Sequence, residues 1–152
     1  MTRINEWGPA CWIFFHTLVD KIKPENFLKI RNSLTSHLRI ICSNLPCPTC
    51  SNHSKLYFQR QRSLNFQSKE EMIGFWWHFH NHVNKSKGKP EFPFSDLSSY
   101  SSNNLRTTYE RFASQYAAKD TNLKMMSETF HRKNILKGFH HWMIQNNQSF
   151  IV

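Results

Sequence analysis

The sequence contains one pair of cysteines at a spacing that serves redox or metal chemistry, in the segment Cys47-Pro48-Thr49-Cys50. Pro48 suits the first position of a helix, where its fixed φ and missing N–H are tolerated, so both cysteines are expected in the first helical turn. The dipole and the free amides at a helix start favour the thiolate form of cysteine, which exchanges disulfides and binds metals. The motif therefore predicts either a redox pair or half of a zinc site.

Two residues that follow the motif bear on this choice. His53 and Tyr57 stand three and seven positions after Cys50, so the three side chains share one face of the predicted helix. A planar ring can lie along such a face. In the zinc interpretation His53 is a third ligand, and no second CxxC completes a familiar zinc spacing. The histidines that remain for a fourth ligand are His78, His80 and His82.

Apolar residues recur at helical spacing along the first two thirds of the chain, and no alternating strand pattern competes with them. Four helices are predicted: from Pro9, from about Phe27 to Pro46, from Pro48 through Tyr57, and after a capping box formed by Ser68 and Glu71. The last of these is the most aromatic. It also carries the polar residues His80, Asn81 and Asn84, which need partners in a buried setting and indicate either core hydrogen bonds or contacts with a bound molecule.

The sequence of the remaining third of the chain predicts a loop, a linker and more helices. Gly88 and the prolines around it break the fourth helix, and the Ser/Asn-rich stretch SSYSSNN is typical of a linker. Two further helices are predicted, over Leu105 to Tyr116 and over Phe130 to Met143. Their apolar residues are consistent with docking on the protein's own core, on a second subunit or on a substrate protein, and the first of these is favoured. The fold class is therefore predicted to be all-α.

The composition limits the number of domains and the class of protein that the chain can form. The chain has 152 residues, 39% of them hydrophobic and 14% aromatic, which predicts one folded main domain. The formal charge of +10 favours an anionic partner or cofactor. No apolar run resembles a signal peptide or a membrane span, so a soluble protein is expected. The other two cysteines, Cys11 and Cys42, are consistent with a staple between the first two helices, an auxiliary redox pair or two buried free thiols.

Three separated blocks resemble the Erv/ALR family of FAD-linked sulfhydryl oxidases. They are Trp7-Gly8 with Trp12 and His16, then LPCPTCSNH, then HFHNHVNKSKGKPEF. The resemblance covers about residues 5 to 100, and the three blocks together are far more specific than a CxxC alone. It implies a four-helix bundle that cradles FAD, in a sulfhydryl oxidase domain over residues 1–101 with a C-terminal helical extension over 102–152.

The resemblance also implies roles for individual residues. Cys47 exchanges with a substrate dithiol, and Cys50 passes the electrons to FAD, from which molecular oxygen takes them to give hydrogen peroxide. The positions implied to contact FAD are Trp7, Gly8, Trp12, His16, Cys50, His53, Tyr57, His80, Asn81, Val83, Asn84, Lys87 and Lys89. No metal is implied.

The pattern departs from many cellular members, because no cysteine follows Cys50 in this sequence. Electrons are then expected to enter Cys47 directly from dithiol protein substrates. This compact pattern resembles viral members of the family, which implies a location in the host cytoplasm or the virion. The family also implies a homodimer. The physiological substrate is not identified by the sequence.

Two other functions compete with the oxidase. One is a basic helical module that binds zinc through the CxxCxxH segment and grips nucleic acid with its positive surface. The other is an inactive scaffold that keeps the bundle and binds partners with its C-terminal helices. Flavin absorbance and thiol-dependent oxygen uptake separate the three.

Overall fold

The computed structural model describes residues 4–118 and 123–152, with side chains described for 7–118 and 126–152. The α-helices are α1 Ile4–Asp20, α2 Phe27–Cys42, α3 Pro48–Gln59, α4 Lys69–Ser86, α5 Leu105–Tyr116 and α6 Leu123–Gln145. Short 3-10 helices cover Pro24–Asn26, Phe94–Ser102 and Asn147–Ser149. Within these described ranges the only extended pairing is a bridge between Ile22 and Phe150. The all-α prediction is confirmed.

The first helix starts earlier than predicted. It begins at Ile4, so Pro9 lies inside it rather than at its start. A proline at this position removes one backbone hydrogen bond. The additional turn buries the side chain of Trp7, which is 6% exposed, and burial of so large an apolar group offsets that loss.

The last residue of the second helix is Cys42, so the helix ends before its predicted limit at Pro46. The residue before a proline avoids the helical region, so Leu45 cannot continue the helix. Its main-chain groups bond instead to the Ser51 hydroxyl of α3, which accepts from the Leu45 N–H at 2.8 Å and donates to the Leu45 carbonyl at 3.2 Å. This double hydrogen bond fixes the connection from α2 to the CxxC segment.

Local signals set the starts of α3 and α4 as predicted. Cys47 is the N-cap of α3, and Pro48 occupies its first turn. The hydroxyl of Ser68 caps α4 by accepting from the N–H of Glu71 at 3.2 Å, and the Glu71 carboxylate accepts from the N–H of Gln67 at 2.7 Å. Such reciprocal caps satisfy amides that a helix start leaves without partners.

The Ser/Asn-rich stretch is not the irregular linker that was predicted. Most of it belongs to the 3-10 helix Phe94–Ser102, in which Tyr100 is buried. The segment is held against α1, since the ammonium group of Lys21 donates to the Ser101 carbonyl at 2.7 Å and the Asn103 amide donates to the Thr17 hydroxyl at 3.1 Å. These long-range bonds order a segment whose composition alone is typical of a loop.

The C-terminal helices share one core with the first four, as the sequence predicted. The Phe112 ring of α5 stacks on Phe14 of α1 with centroids 4.7 Å apart, and Phe139 of α6 meets the same Phe14 edge-on at 6.0 Å. The Tyr116 hydroxyl donates to the Ile41 carbonyl at 3.1 Å. α6 is longer at both ends than the predicted Phe130 to Met143. The helices α5 and α6 therefore contribute to the same hydrophobic core as α1 and α2.

Candidate active site

The CxxC segment forms a disulfide at the start of α3. Cys47 and Cys50 are bonded to each other, with Cα atoms 5.2 Å apart. The Cys47 sulfur accepts from the N–H of Cys50 at 3.2 Å and lies 3.2 Å from the Thr49 hydroxyl. A sulfur placed at a helix start among hydrogen-bond donors is stabilised when it becomes negatively charged. The pair is therefore built for thiol–disulfide exchange.

Beside Cys50 lies a partly open, mainly apolar cavity of about 60 Å³. It is bounded by α1, α3, α4 and the end of α2, with walls formed by Trp7, Gly8, Cys11, Trp12, Phe15, Cys42, Leu45, Cys50, His53, Ser54, Phe79, Val83 and Lys87. We call it the aromatic cavity. The wall contains Cys50 but not Cys47, so the two sulfurs of the disulfide have different surroundings.

A second cavity of about 290 Å³ adjoins the first between α1 and α4. The two cavities share Gly8, Trp12, Val83 and Lys87 in their walls. His80, Asn84 and Lys89 line the second one, so it is more polar and more basic than the aromatic cavity. Together the two cavities offer a space with Cys50 in the wall of one, Lys89 in the wall of the other and Lys87 in both.

The predicted cofactor positions fall on this space with three exceptions. Every one of them lines one or both cavities apart from His16, Tyr57 and Asn81. Tyr57 stacks on Phe79 with centroids 4.8 Å apart, so it packs behind an aromatic wall residue. His16 forms a hydrogen bond with His80, and Asn81 forms two with Phe92. These three residues support the wall in the described structure.

Two histidines join α1 to α4 at the edge of the second cavity. Nε2 of His16 lies 2.9 Å from Nδ1 of His80, and the Trp12 ring stacks on His80 with centroids 4.2 Å apart and planes 10° apart. Burial, together with the neighbouring His80, lowers the pKa of His16 to about 3. Burial and the ammonium group of Lys89 lower the pKa of His80 to about 4. Both rings are neutral at pH 7, so one nitrogen donates and the other accepts.

Asn81 secures the loop that carries the lysines. Its side-chain oxygen accepts from the Phe92 N–H at 2.7 Å, and its amide nitrogen donates to the Phe92 carbonyl at 3.0 Å. The Trp77 indole donates to the same carbonyl at 2.8 Å. The loop is also tied to Asn84, whose carbonyl accepts from the N–H of Lys89 at 2.8 Å. The polar residues of α4 thus use core hydrogen bonds to hold a loop against the second cavity.

The lysines give this end of the space a positive charge. Partial desolvation and the nearby ammonium of Lys89 lower the pKa of Lys87. Because the ammonium group of Lys89 is close enough to disfavour the charge of Lys87, an anionic group between the two lysines is attracted by both. Phosphate oxygens are suitable partners, and a flat ring system is the suitable occupant of the aromatic cavity.

Some wall residues were not singled out from the sequence as cavity residues. Cys11 and Cys42 line the aromatic cavity, and both are free buried thiols, which is one of the alternatives that the sequence left open. Burial raises the pKa of both thiols, and for Cys42 the proximity of Cys11 adds to the effect. The only sequence feature that links Cys11 to the cavity is its position directly before Trp12, a predicted cofactor contact. Tyr100 stacks on His16 with centroids 4.9 Å apart.

Two further observations concern the described residues alone. Among their side chains, no group of three histidine, cysteine, aspartate or glutamate residues is placed to hold a metal ion. In the same ranges, no helix combines the length and the apolarity that crossing a membrane requires.

The fold and the site together define a class of protein: helical bundles in which a CxxC disulfide at a helix start adjoins an aromatic, lysine-bordered cavity. The sequence model of the Erv1 / Alr family matches residues 9–104. The chain belongs to this family, and the resemblance found in its sequence is confirmed.

Individual relatives come from viruses and plants. The putative FAD-linked sulfhydryl oxidase 096R of Invertebrate iridescent virus 3 is 30% identical over 86 residues, which cover 56% of this chain and 58% of the relative. The FAD-linked sulfhydryl oxidase ERV1 of Arabidopsis thaliana is 31% identical over 89 residues, covering 59% of this chain and 46% of the relative. The putative FAD-linked sulfhydryl oxidase 347L of Invertebrate iridescent virus 6 is 29% identical over 103 residues, which cover 62% of this chain and 93% of the relative.

The chain thus spans about half the length of the first two relatives. None of the solved structures matches it significantly.

Proposed function

We propose that this protein is an FAD-dependent sulfhydryl oxidase that forms disulfide bonds in substrate proteins. The observation that carries the proposal is the position of the Cys47–Cys50 disulfide, with Cys50 in the wall of a cavity lined by the residues that the family resemblance assigns to FAD. Family membership and the names of the relatives support the same activity.

The residues of the cavities fit the chemical parts of FAD. Trp12 and Phe79 offer apolar faces to a flat ring, and Lys87 and Lys89 offer positive charge to a diphosphate. His80 and Asn84 offer hydrogen-bonding groups between these ends. When bound, FAD takes two electrons from a dithiol and passes them to molecular oxygen, which gives hydrogen peroxide.

Disulfide formation in the substrate proceeds by two exchanges at Cys47. A substrate thiolate attacks the Cys47 sulfur, the Cys47–Cys50 bond breaks, and Cys50 leaves with the electron pair as a thiolate. The second substrate thiol loses its proton and attacks the first substrate sulfur, which releases Cys47 as a thiolate. The substrate has then lost two electrons and two protons, and the Cys47–Cys50 pair holds the two electrons as two thiolates, which become a dithiol on taking up two protons.

The chain's own groups support these steps. The Cys50 N–H and the Thr49 hydroxyl surround the Cys47 sulfur and stabilise it as a leaving thiolate. Cys50 lines the aromatic cavity, where a bound ring would keep water away from this residue. Re-formation of the Cys47–Cys50 bond, with release of two protons, would complete the cycle if FAD held beside Cys50 accepted the electron pair.

Assembly and location are also part of the proposal. We propose a homodimer, a division of labour in which residues 1–101 carry the chemistry and 102–152 are a helical extension, and a site of action in the host cytoplasm or virion. The two iridescent virus relatives support a viral setting. The apolar faces of α1 and α2 are covered by α5 and α6, so a dimer has to use other surfaces, such as the exposed Leu28 and Ile40 of α2. Light scattering of the purified protein tests the dimer.

The decisive experiment is an absorbance spectrum of protein purified in the presence of FAD, followed by oxygen uptake with dithiothreitol. We expect flavin absorbance that a denaturant releases, together with consumption of oxygen and formation of peroxide. Folded protein that holds no flavin and takes up no oxygen contradicts the proposal.

A further inference from the structure

Among the described residues that line the aromatic cavity, His53 is the only one with an imidazole. It is half-buried and stands three positions after Cys50 on α3, so the two side chains lie on the same face of the helix. The cavity is otherwise mainly apolar, with Trp12, Phe79 and Val83 in its wall. Because apolar surroundings disfavour a free charge, a proton leaves such a cavity most readily on a polar carrier.

The proposed reaction moves a proton at Cys50 in both directions. Cys50 leaves the disulfide as a thiolate, takes up a proton when the pair becomes a dithiol, and loses it again before the disulfide re-forms. An imidazole takes up and releases protons near neutral pH. The other ionisable groups of the wall are less suited, because burial raises the pKa of Cys11 and Cys42, and Lys87 in its charged form has no acceptor.

A second imidazole connects His53 to the solvent. The ring of His82, on α4, meets the ring of His53 edge to face, with centroids 4.9 Å apart. At this distance one water is enough to join their nitrogens. The Tyr57 ring also contacts His82, with centroids 4.8 Å apart, and His82 itself is exposed. The two imidazoles therefore reach from the cavity wall to the surface.

The groups around His82 favour release of a proton to water. Partial burial lowers the pKa of His82, and the neighbouring basic groups His53, Arg60 and Lys85 add to the effect. Burial raises the pKa of Tyr57, so its phenol keeps its proton at neutral pH. A proton that arrives at His82 is thus passed on rather than held.

We propose that His53 and His82 form a proton relay, in which His53 takes the proton of the Cys50 thiol and His82 passes it to solvent. The S–H bond breaks, its electron pair stays on the sulfur, and the proton moves to an imidazole nitrogen of His53. Uptake of a proton by the thiolate follows the same path in reverse, and neither direction needs an oxidant or a reductant.

The relay rests on the proposed oxidase function and adds the route of its protons. The family resemblance implies contact with FAD for His53 but no role for His82. Because His82 acts on Cys50 through His53, it is a positioning residue, and its test needs readouts that a purely structural role would not change.

The first test measures oxygen uptake by the FAD-loaded protein with dithiothreitol across a range of pH. We expect His82→Asn to lower kcat at pH 7 by roughly tenfold, less than the about 10²–10⁴ of a direct acid–base group, because water partly replaces an exposed relay. KM should stay the same, since His82 does not line the cavity. The deficit should shrink as the pH rises and hydroxide takes the proton, and added imidazole should restore most of the lost rate.

The matched control is His78→Asn. His78 is an exposed histidine of α4, one turn before His82, and it lines neither of the two cavities. This variant should keep the kcat and the pH profile of the unaltered protein, with no gain from added imidazole.

A second readout does not depend on turnover. Proton NMR of the histidine rings in the full chain follows the titration of His82. Since His53 lowers the pKa of His82, His53→Gln should raise that pKa, whereas His78→Asn should leave it unchanged.

The outcomes separate the relay from the oxidase. An unchanged kcat in His82→Asn, a loss that imidazole does not restore, or a His82 titration that is the same in His53→Gln overturns the relay, while oxidation of dithiothreitol by the unaltered protein upholds the oxidase. Failure of the FAD-loaded unaltered protein to oxidise dithiothreitol overturns the oxidase and the relay with it.

Discussion

His16 and His80 share a hydrogen bond of 2.9 Å that connects α1 to α4 at the edge of the second cavity. Trp12 stacks on one of these rings and Tyr100 on the other. The bond requires at least one neutral ring, because two imidazolium groups are both donors only. The pair therefore couples the protonation of a buried histidine, His16, and a half-buried one, His80, to the shape of the site.

Acidification is expected to destabilise the protein through this pair. The pKa of each ring is lowered on folding, to about 3 for His16 and about 4 for His80, from a usual value near 6.5. The unfolded chain thus binds more protons below about pH 6.5, and stability falls as the pH decreases from there, to about 4 for the His80 contribution and about 3 for that of His16. Each ring contributes a slope of up to ~1.4 kcal/mol per pH unit. Urea unfolding at pH 7 and pH 5 measures it.

The matched control for this effect lies on the same helix. His78 of α4 is exposed, so His78→Asn should keep the pH dependence of the unaltered protein. His80→Asn should reduce the slope between pH 6.5 and 5. An identical slope in all three proteins contradicts the assignment to the buried pair.

The loop tether at Asn81 gives a second prediction. Asn81→Ala removes both side-chain hydrogen bonds to Phe92 and should lower the free energy of unfolding by about 1–3 kcal/mol, since the Phe92 amide loses its partner. Because the tethered loop carries Lys87 and Lys89, the variant should also retain less FAD. Flavin content per protein after gel filtration measures this loss. His78→Ala serves as the exposed control, and equal flavin content in the two variants is evidence against the tether.

Much of the fold could be predicted from sequence signals that act over a few residues. Pro48 marked the start of α3, and Ser68 with Glu71 marked the start of α4, because caps and helix-start prolines depend on local geometry. The start of α1 was misplaced because the burial of Trp7, a tertiary effect, outweighed the local preference of Pro9.

Most residues of the candidate site could also be predicted from the sequence. The cavity residues came from the family resemblance, and most of them line the space that the structure describes. The place of Cys11 and Cys42 in the cavity wall could not be predicted, because it depends on how distant helices pack. Residues 119–122, between the last two predicted helices, lie outside the described part of the chain.

The packing of α5 on α1 gives a third prediction. Phe112 is fully buried and stacks on Phe14, so Phe112→Ala should lower the free energy of unfolding by about 3–5 kcal/mol. Phe130 of α6 is 67% exposed, and Phe130→Ala should change stability by no more than about 0.5 kcal/mol. Denaturant unfolding of the two variants measures the difference. A small effect of Phe112→Ala would show that residues after 104 are not part of the cooperative core.

The different surroundings of Cys47 and Cys50 give a fourth prediction, which concerns the absorbance spectrum. Cys50 lines the aromatic cavity and Cys47 does not, so replacement of each sulfur should have a different effect on bound FAD. In Cys47→Ser the remaining Cys50 sulfur is a free thiolate beside the oxidised ring. Donation from that sulfur should produce a broad long-wavelength charge-transfer band, as expected for a thiolate in contact with a flavin.

Cys50→Ser should lack this band, because the remaining Cys47 sulfur lies on the far side of the disulfide from the cavity. Both variants should retain FAD, since neither sulfur is its main anchor, and both should lose turnover with dithiothreitol because each interrupts the same relay. The unaltered protein, with its sulfurs in a disulfide, is the control and should show no band before reduction. A band in Cys50→Ser and none in Cys47→Ser reverses the two roles, and near-normal turnover in either variant removes the pair from the mechanism.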